Sequence, residues 1–241
     1  MKHLTNDQVI QAWSQFSPDD VARFGDEGDS ARRLLLNPAI FALLGNVAGK
    51  VILDAGCGQG YLCRLLARQG AHVTGIEPAI PWFRYAVQRE EAEPLGISYI
   101  QHDLSRWTAT PETFDCVIAN MVLMDIPDYL PALNACVTSL KPDGDLILSI
   151  LHPCFEEPGA AWDEKQCVEV RNYFAERAVR QTRGYFIHRP LSAYLNSLIQ
   201  SGCRLKSVQE PRLDETVARQ HHADRYAHVP GYLVIHATRL V

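Results

Sequence analysis

The stretch VILDAGCGQGYLCRLLARQGAHVTGIEP, residues 51–78, decides the fold. VILDAG is a short apolar run ending in glycines and reads as a buried strand. YLCRLLARQG follows with helical spacing and closes at Gly70. AHVTGIEP is a second strand, stopped by Pro78. Between the first strand and the helix stand Gly56, Gly58 and Gly60, a GxGxG turn. Glycine allows a tight turn and a close approach of a ligand to the backbone. Amide groups at the helix start can receive a carboxylate or a phosphate. Glu77 ends the second strand, where an acidic side chain can accept both hydroxyls of an adenosine ribose. Dinucleotide sites use the longer GxGxxG spacing. Here Asp54 also precedes the first glycine by two, and a negative side chain in that turn suits an ammonium or sulfonium ligand better than a pyrophosphate.

Outward from this stretch the alternation continues. PWFRYAVQREEAEPLG is a helix, ISYIQHD a third strand and FDCVIANMVL a fourth. YLPALNACVTSLKPDG is a helix ending in a turn, and DLILSILHP is a fifth strand. Such alternation implies a parallel sheet covered by helices on both faces. The first 48 residues are helical in pattern, with Ser30 as the cap of SARRLLLNPAIFALLGNV. Residues 153–187 are polar and aromatic with no clear period, and read as an insertion over the sheet edge. PLSAYLNSLIQSG is then a helix, CRLKSVQE a strand and YLVIHATRL a final strand, with a long polar loop between the two strands. That pairing makes the last strand antiparallel. The expected fold is one α/β domain over 1–241 with a seven-stranded, mostly parallel sheet. Its parts are a helical lid (1–48), a cofactor-binding core (49–152), a substrate cap (153–187) and a C-terminal helix with strands (188–241).

Composition narrows the function. The 241 residues carry 23 Lys and Arg against 28 Asp and Glu, a net charge of −5, with no basic stripe to track phosphates, so no nucleic-acid partner is expected. No apolar run reaches the length of a membrane span, and the polar N-terminus lacks a signal core. The seven cysteines form no CxxC pair and several lie in apolar runs. They read as reduced, mostly buried thiols, in keeping with a cytoplasmic location.

The motifs resemble those of class I S-adenosylmethionine-dependent methyltransferases. LDAGCGQGYLCRLLARQGAHVTGIEP is similar to that family's first two motifs, IQHDL (100–104) to its third-strand motif, FDCVIANMVLMDIPD (114–128) to the fourth and LKPDGDLILSI (140–150) to the fifth. The resemblance covers residues 10–152, and the tail 188–241 fits the family's last helix and two strands. It lies nearest the small-molecule branch that includes enzymes of ubiquinone and menaquinone biosynthesis. The resemblance implies S-adenosyl-L-methionine as cofactor and S-adenosyl-L-homocysteine as product. By position, Gly56, Gly58 and Gly60, with Ala55 and Cys57, wrap the methionine part. Asp54 supports that loop or meets the ammonium. Glu77, next to Pro78, holds the ribose hydroxyls, and His102, Asp103 and Leu104 flank the adenine. Asn120 and Met121 lie beside the methionyl chain and sulfonium. Cys57 stands in a slot that several small or polar residues fill in the family.

Methyl transfer from a sulfonium is an in-line displacement that needs positioning and exclusion of water. A base is needed only for a nucleophile that arrives protonated. His152, at the carboxyl end of the fifth strand, is the first candidate base, or else a strand cap. His188 and Tyr185 are the second, with Arg189 beside them as a holder of an anionic substrate group. His221, His222 and His228 stand at no metal spacing, and no metal is expected. Trp13, Phe16 and Phe24 suit an aromatic lid over a sulfonium, or ordinary helix packing. Trp162, Tyr173, Phe174, Tyr185 and Phe186 suit the wall of an apolar substrate pocket or a subunit contact, so monomer and homodimer both stay open. The function expected is methyl transfer to a small-molecule oxygen, nitrogen or carbon. Two rivals are methylation of a macromolecule such as tRNA or protein, and a non-catalytic cofactor-binding regulator.

Overall fold

The computed structural model describes residues 4–155, 166–181 and 184–240. Helices α1 (Asn6–Trp13) and α2 (Pro18–Ala22) open the chain. α3 (Asn37–Leu44) continues a wide π-turn over Arg32–Leu36. The helical run begins at Ser30 itself, and the cap is Asp29, whose Oδ1 accepts the Arg32 amide at 2.9 Å. The expected Ser30 cap is thereby corrected by one residue.

Strands β1 (Val51–Ala55), β2 (His72–Ile76), β3 (Ser98–Ile100) and β4 (Phe114–Asn120) alternate with helices α4 (Tyr61–Arg68) and α5 (Ile80–Ala92) as expected. α6 (Leu130–Ser139) leads into β5 (Leu140–Leu151), whose pairing with β4 is interrupted by a bulge. The expected LKPDG turn is therefore the irregular start of this strand, with Asp143 at φ +58°. The region expected to lack regular structure contains a hairpin of β6 (Arg177–Arg180) and β7 (Tyr185–His188). α7 (Leu191–Gln200) and β8 (Cys203–Gln209) follow, then two short helices, α8 (Glu215–Gln220) and α9 (Arg225–His228), and β9 (Tyr232–Arg239).

Among the described residues the main sheet has seven strands in the order β3-β2-β1-β4-β5-β9-β8. β9 runs antiparallel to both β5 and β8, so the reversed strand is the last in sequence but the penultimate in space. The near-continuous apolar strands bury both faces. Leu53, Val117, Ala119, Leu146 and Leu148 pack against α6 and α7, and Ile52, Cys116, Ile118 and Ile147 against α3 and α4. Asp54 and Asn120 fall on the Ile52–Ile118 face at the carboxyl ends of adjacent strands. There the strand order reverses, the crevice where doubly wound sheets bind ligands.

Candidate active site

The glycine turn fits closely under its neighbours. Gly56 has φ +76°, and a Cβ there would come within 2.6 Å of both Val122 methyls. Gly60 has φ +78°, and a Cβ would collide with the Tyr99 phenol. Only glycine meets both demands. The Gly56 and Cys57 amides donate to the Ile76 carbonyl at 2.8 and 2.9 Å, tying the turn to the end of β2. Glu77 then accepts the Gly58 amide on Oε2 at 3.0 Å and the Ala79 amide on Oε1 at 2.8 Å. Burial still pushes its carboxyl up to about 7, against the pull of those two amides.

Asp54 is buried beneath the turn and accepts the Cys63 thiol at 3.2 Å. Burial pushes it up to about 7 as well. Asn120 is fixed by a chain of side chains. Its Nδ2 donates to the Tyr61 hydroxyl at 2.7 Å, which donates on to Asn37 Oδ1 at 3.1 Å. Its Oδ1 accepts from the Ser149 hydroxyl at 2.6 Å. Met121 follows at φ +62°, a strained value for a residue with a side chain, and its amide donates to Ser149. Asp103 accepts the Ser105 amide and hydroxyl at 2.9 and 2.8 Å. Asn6 of α1 donates to that hydroxyl and accepts the Asp128 amide, joining the N-terminal segment to two sheet-end loops.

These groups line one cleft of about 1000 Å³, its open mouth included. Its floor holds Asp54, Gly56, Cys57, Gly58, Glu77 and Pro78, and one flank holds Asp103 and Leu104. The opposite flank is Asn120, Met121, Val122, Asp125, Ile126 and Pro127. The roof is aromatic. Trp82 of α5 packs edge-on to Trp13 and Phe24, with ring centres 5.5 and 4.8 Å apart, and Phe16 stacks on Trp13 at 5.2 Å. Lid and helix packing are thus one arrangement, because Trp13 and Phe24 face the cleft while gripping Trp82.

The structure scatters the other candidates. Ala55 and Gly60 shape the turn from behind and do not line the cleft. His102 is exposed, its Nδ1 facing the Asp103 carbonyl. His152 is buried outside the cleft. Its Nδ1 accepts the Cys154 amide at 3.2 Å, so its Nε2 donates to Glu210 at 2.9 Å and no basic nitrogen faces the cleft. His188 faces the Tyr173 carbonyl through Nε2 at 2.7 Å, and Tyr185 pairs with Arg180 in the hairpin. Arg189 is buried and holds Glu176 and the carbonyls of Leu123, Ile126 and Pro127. It clamps the loop after β4, which corrects its expected role as an open anion site. Trp162 lies outside the described residues.

Sequence reasoning missed Tyr61, Trp82, Arg32, Asp125 and the α1 residues Asn6, Val9 and Ile10, all of which line the cleft. Tyr61 and Trp82 stood in helices read only for their period. Asp125 stood inside a quoted motif, and its charge in an apolar run was the available signal.

The comparisons agree with this geometry. A family of methyltransferase domains matches residues 29–184, more than half of the chain. The chain belongs to this family, and the fold class, the enzymatic nature and S-adenosylmethionine as cofactor accord with it. It is 36% identical over 127 residues to a ubiquinone biosynthesis O-methyltransferase of Haemophilus ducreyi, covering 49% of this chain and 54% of that one. The chain spans about half the length of the curated relatives it matches. A Mesorhizobium loti S-adenosylmethionine-dependent methyltransferase superposes with a TM-score of 0.77 at 25% identity, covering 89% of this chain and all of that one. A Burkholderia thailandensis 1,6-didemethyltoxoflavin-N1-methyltransferase with bound S-adenosylhomocysteine shares the fold, with a TM-score of 0.59 at 19% identity over 85% and 76% of the two chains.

Proposed function

We propose that this chain, as a single domain over 1–241, transfers the methyl group of S-adenosylmethionine to a small, partly apolar acceptor. The observation that carries the reading is the joined pair of half-sites in one cleft. The polar half is the glycine turn with Asp54, Glu77 and Asp103. The apolar half is Val9, Ile10, Met121, Val122, Ile126 and Pro127. Glu77 has lone pairs left for two ribose hydroxyls after accepting two amides. Leu104 and Asp103 flank the adenine, and Asn120 and Met121 the methionyl chain. The aromatic roof supplies π-faces to the sulfonium and excludes water from the displacement.

The relatives named as ubiquinone biosynthesis O-methyltransferases support an oxygen acceptor. The net charge of −5 and the lack of a clustered Lys/Arg run in the sequence favour a small molecule over tRNA. No helix of the described residues is long and apolar enough to cross a membrane. With the reduced thiols this fits a cytoplasmic enzyme acting as a monomer or homodimer without nucleic acid. Calorimetric titration with S-adenosylhomocysteine, with NAD as control, tests the reading. Micromolar binding of the first alone is expected, and NAD binding instead would overturn it.

A further inference from the structure

One carboxylate in the cleft is left unused by the cofactor assignments. Asp125 ends the short 3-10 turn Leu123–Asp125 that follows β4, and its amide donates to the Val122 carbonyl at 2.8 Å. The residue lines the cleft on the same flank as Asn120 and Met121. The carboxylate makes no hydrogen bond among the described residues. Its backbone, by contrast, is pinned on both sides. Arg189 donates to the Leu123 carbonyl at 3.4 Å, the Ile126 carbonyl at 3.0 Å and the Pro127 carbonyl at 2.6 Å. The guanidinium also lies 4.4 Å over the Tyr129 ring. A buried cation thus fixes the turn by its carbonyls while its charge pairs with Glu176, not Asp125.

The titratable groups that interact with Asp125 are Arg32, already paired with Asp29 at 2.5 Å, Glu77 and the Tyr194 phenol. Burial holds Asp125 well above the ordinary carboxylate range. Asp125 is half-buried in the cleft wall, and perturbed carboxyls in clefts gather at functional sites. The two histidines the sequence offered as bases stand elsewhere.

We propose that Asp125 takes the proton of the methyl acceptor, and that the acceptor is therefore a protic oxygen or nitrogen nucleophile. This rests on the methyltransferase reading of the cleft. A lone pair of the acceptor bonds to the methyl carbon as the carbon–sulfur bond breaks. The bonding pair stays on sulfur, and the sulfonium becomes a neutral thioether. The acceptor's O–H or N–H proton passes to an Asp125 oxygen and leaves to water with the product. Burial raises the proton affinity of the Asp125 carboxyl, which makes its ionised form the stronger base for this step. Arg189 acts through the loop as a positioning residue.

The test needs no acceptor. Sinefungin carries an ammonium where S-adenosylmethionine carries its transferable methyl group, so its N–H stands in for the acceptor's. Binding of sinefungin and of S-adenosylhomocysteine is titrated to the full chain and to its D125N and D125E variants. The native chain is expected to prefer sinefungin by about tenfold or more, as for a charge-assisted hydrogen bond. D125N is expected to lose that preference while holding S-adenosylhomocysteine within about twofold, and D125E to keep part of it. A preference unchanged in D125N overturns the proposal. So does an equal loss of both ligands, which would make Asp125 a holder of the cofactor's amino acid end. Failure of the native chain to bind either ligand removes the methyltransferase reading itself and the proposal with it. Unchanged thermal unfolding of D125N and D125E shows that fold is not what moved.

Discussion

Glu77 accepts the amide of Gly58 at 3.0 Å, so the acidic end of β2 and the glycine turn after β1 are locked together without any ligand. The turn is presented to the cleft in one shape, and the same carboxylate keeps lone pairs for a guest. A preorganised site of this kind does not spend binding energy on ordering its own loop.

Glu77→Ala therefore removes two functions at once. It leaves the Gly58 and Ala79 amides without their acceptor and deletes the acceptor of the ribose hydroxyls. Charge-assisted bonds of this type contribute about 1.5–3 kcal/mol each, so losing the two to the ribose should weaken S-adenosylhomocysteine binding by at least about 100-fold. Glu77→Gln keeps one carbonyl oxygen and should lose less. Calorimetry on the three proteins decides it, and a change below about threefold in the alanine variant would remove Glu77 from the cofactor site.

The pH dependence follows from burial. Asp54 and Glu77 are both raised to about 7 in the folded chain, from the ordinary carboxylate values of 3.8 and 4.5. A raised carboxyl favours the folded state while protonated, so this contribution is complete below the unfolded values. It is lost as pH rises through about 7. The ligand-free protein should accordingly lose thermal stability between pH 5 and pH 8 on account of these two groups. A ligand whose ammonium meets Asp54 and whose ribose hydroxyls both donate to Glu77 needs the two ionised, so its binding releases protons near neutrality and its stabilising effect grows with pH. Unfolding temperatures with and without S-adenosylhomocysteine at pH 6, 7 and 8 measure this. A ligand-induced shift that shrinks as pH rises would refute it.

The fold was legible because each element carried its own period. An apolar run ending in glycines gave β1, a run stopped by Pro78 gave β2, and the reversed last strand followed from two runs joined by a loop. What escaped depended on contacts far apart in sequence. His152 does follow a central strand, as its position promised. Its amide, however, pairs with Gly231 beside β9, and its ring reaches Glu210 beyond β8. The strand that draws it away from the cleft enters some eighty residues later. Trp82 likewise showed only helical spacing, and its place in the roof depends on Trp13 and Phe24 folding back over α5. The Arg189 clamp joins carbonyls that no sequence pattern marks, since every residue has one.

Arg189→Ala should behave as the loss of a buried clamp and not as the loss of a substrate anchor. Its removal leaves the carbonyls of Leu123, Ile126 and Pro127 without their donor, while the exposed Glu176 carboxylate returns to water. An acceptor left without its donor inside the fold costs about 1–3 kcal/mol. Urea unfolding should show that loss, with the slope against denaturant unchanged. If stability is intact and only acceptor binding fails, the anion-site reading of Arg189 returns.

Gly56 and Val122 offer the sharpest test of how tightly the cleft wall is built. Gly56→Ala must hold φ +76° and push its methyl to 2.6 Å from two Val122 methyls. The first demand costs about 1 kcal/mol by backbone strain. The second is overpacking, typically about 1–3 kcal/mol. Val122→Ala opens the space and relieves the second cost but not the first. The double variant should therefore be more stable than the sum of the single changes by at least about 1 kcal/mol, while still falling short of the native chain. Denaturant unfolding of the four proteins measures this coupling. Additive changes would mean that the wall yields on its own, and that the glycine is required for its backbone alone.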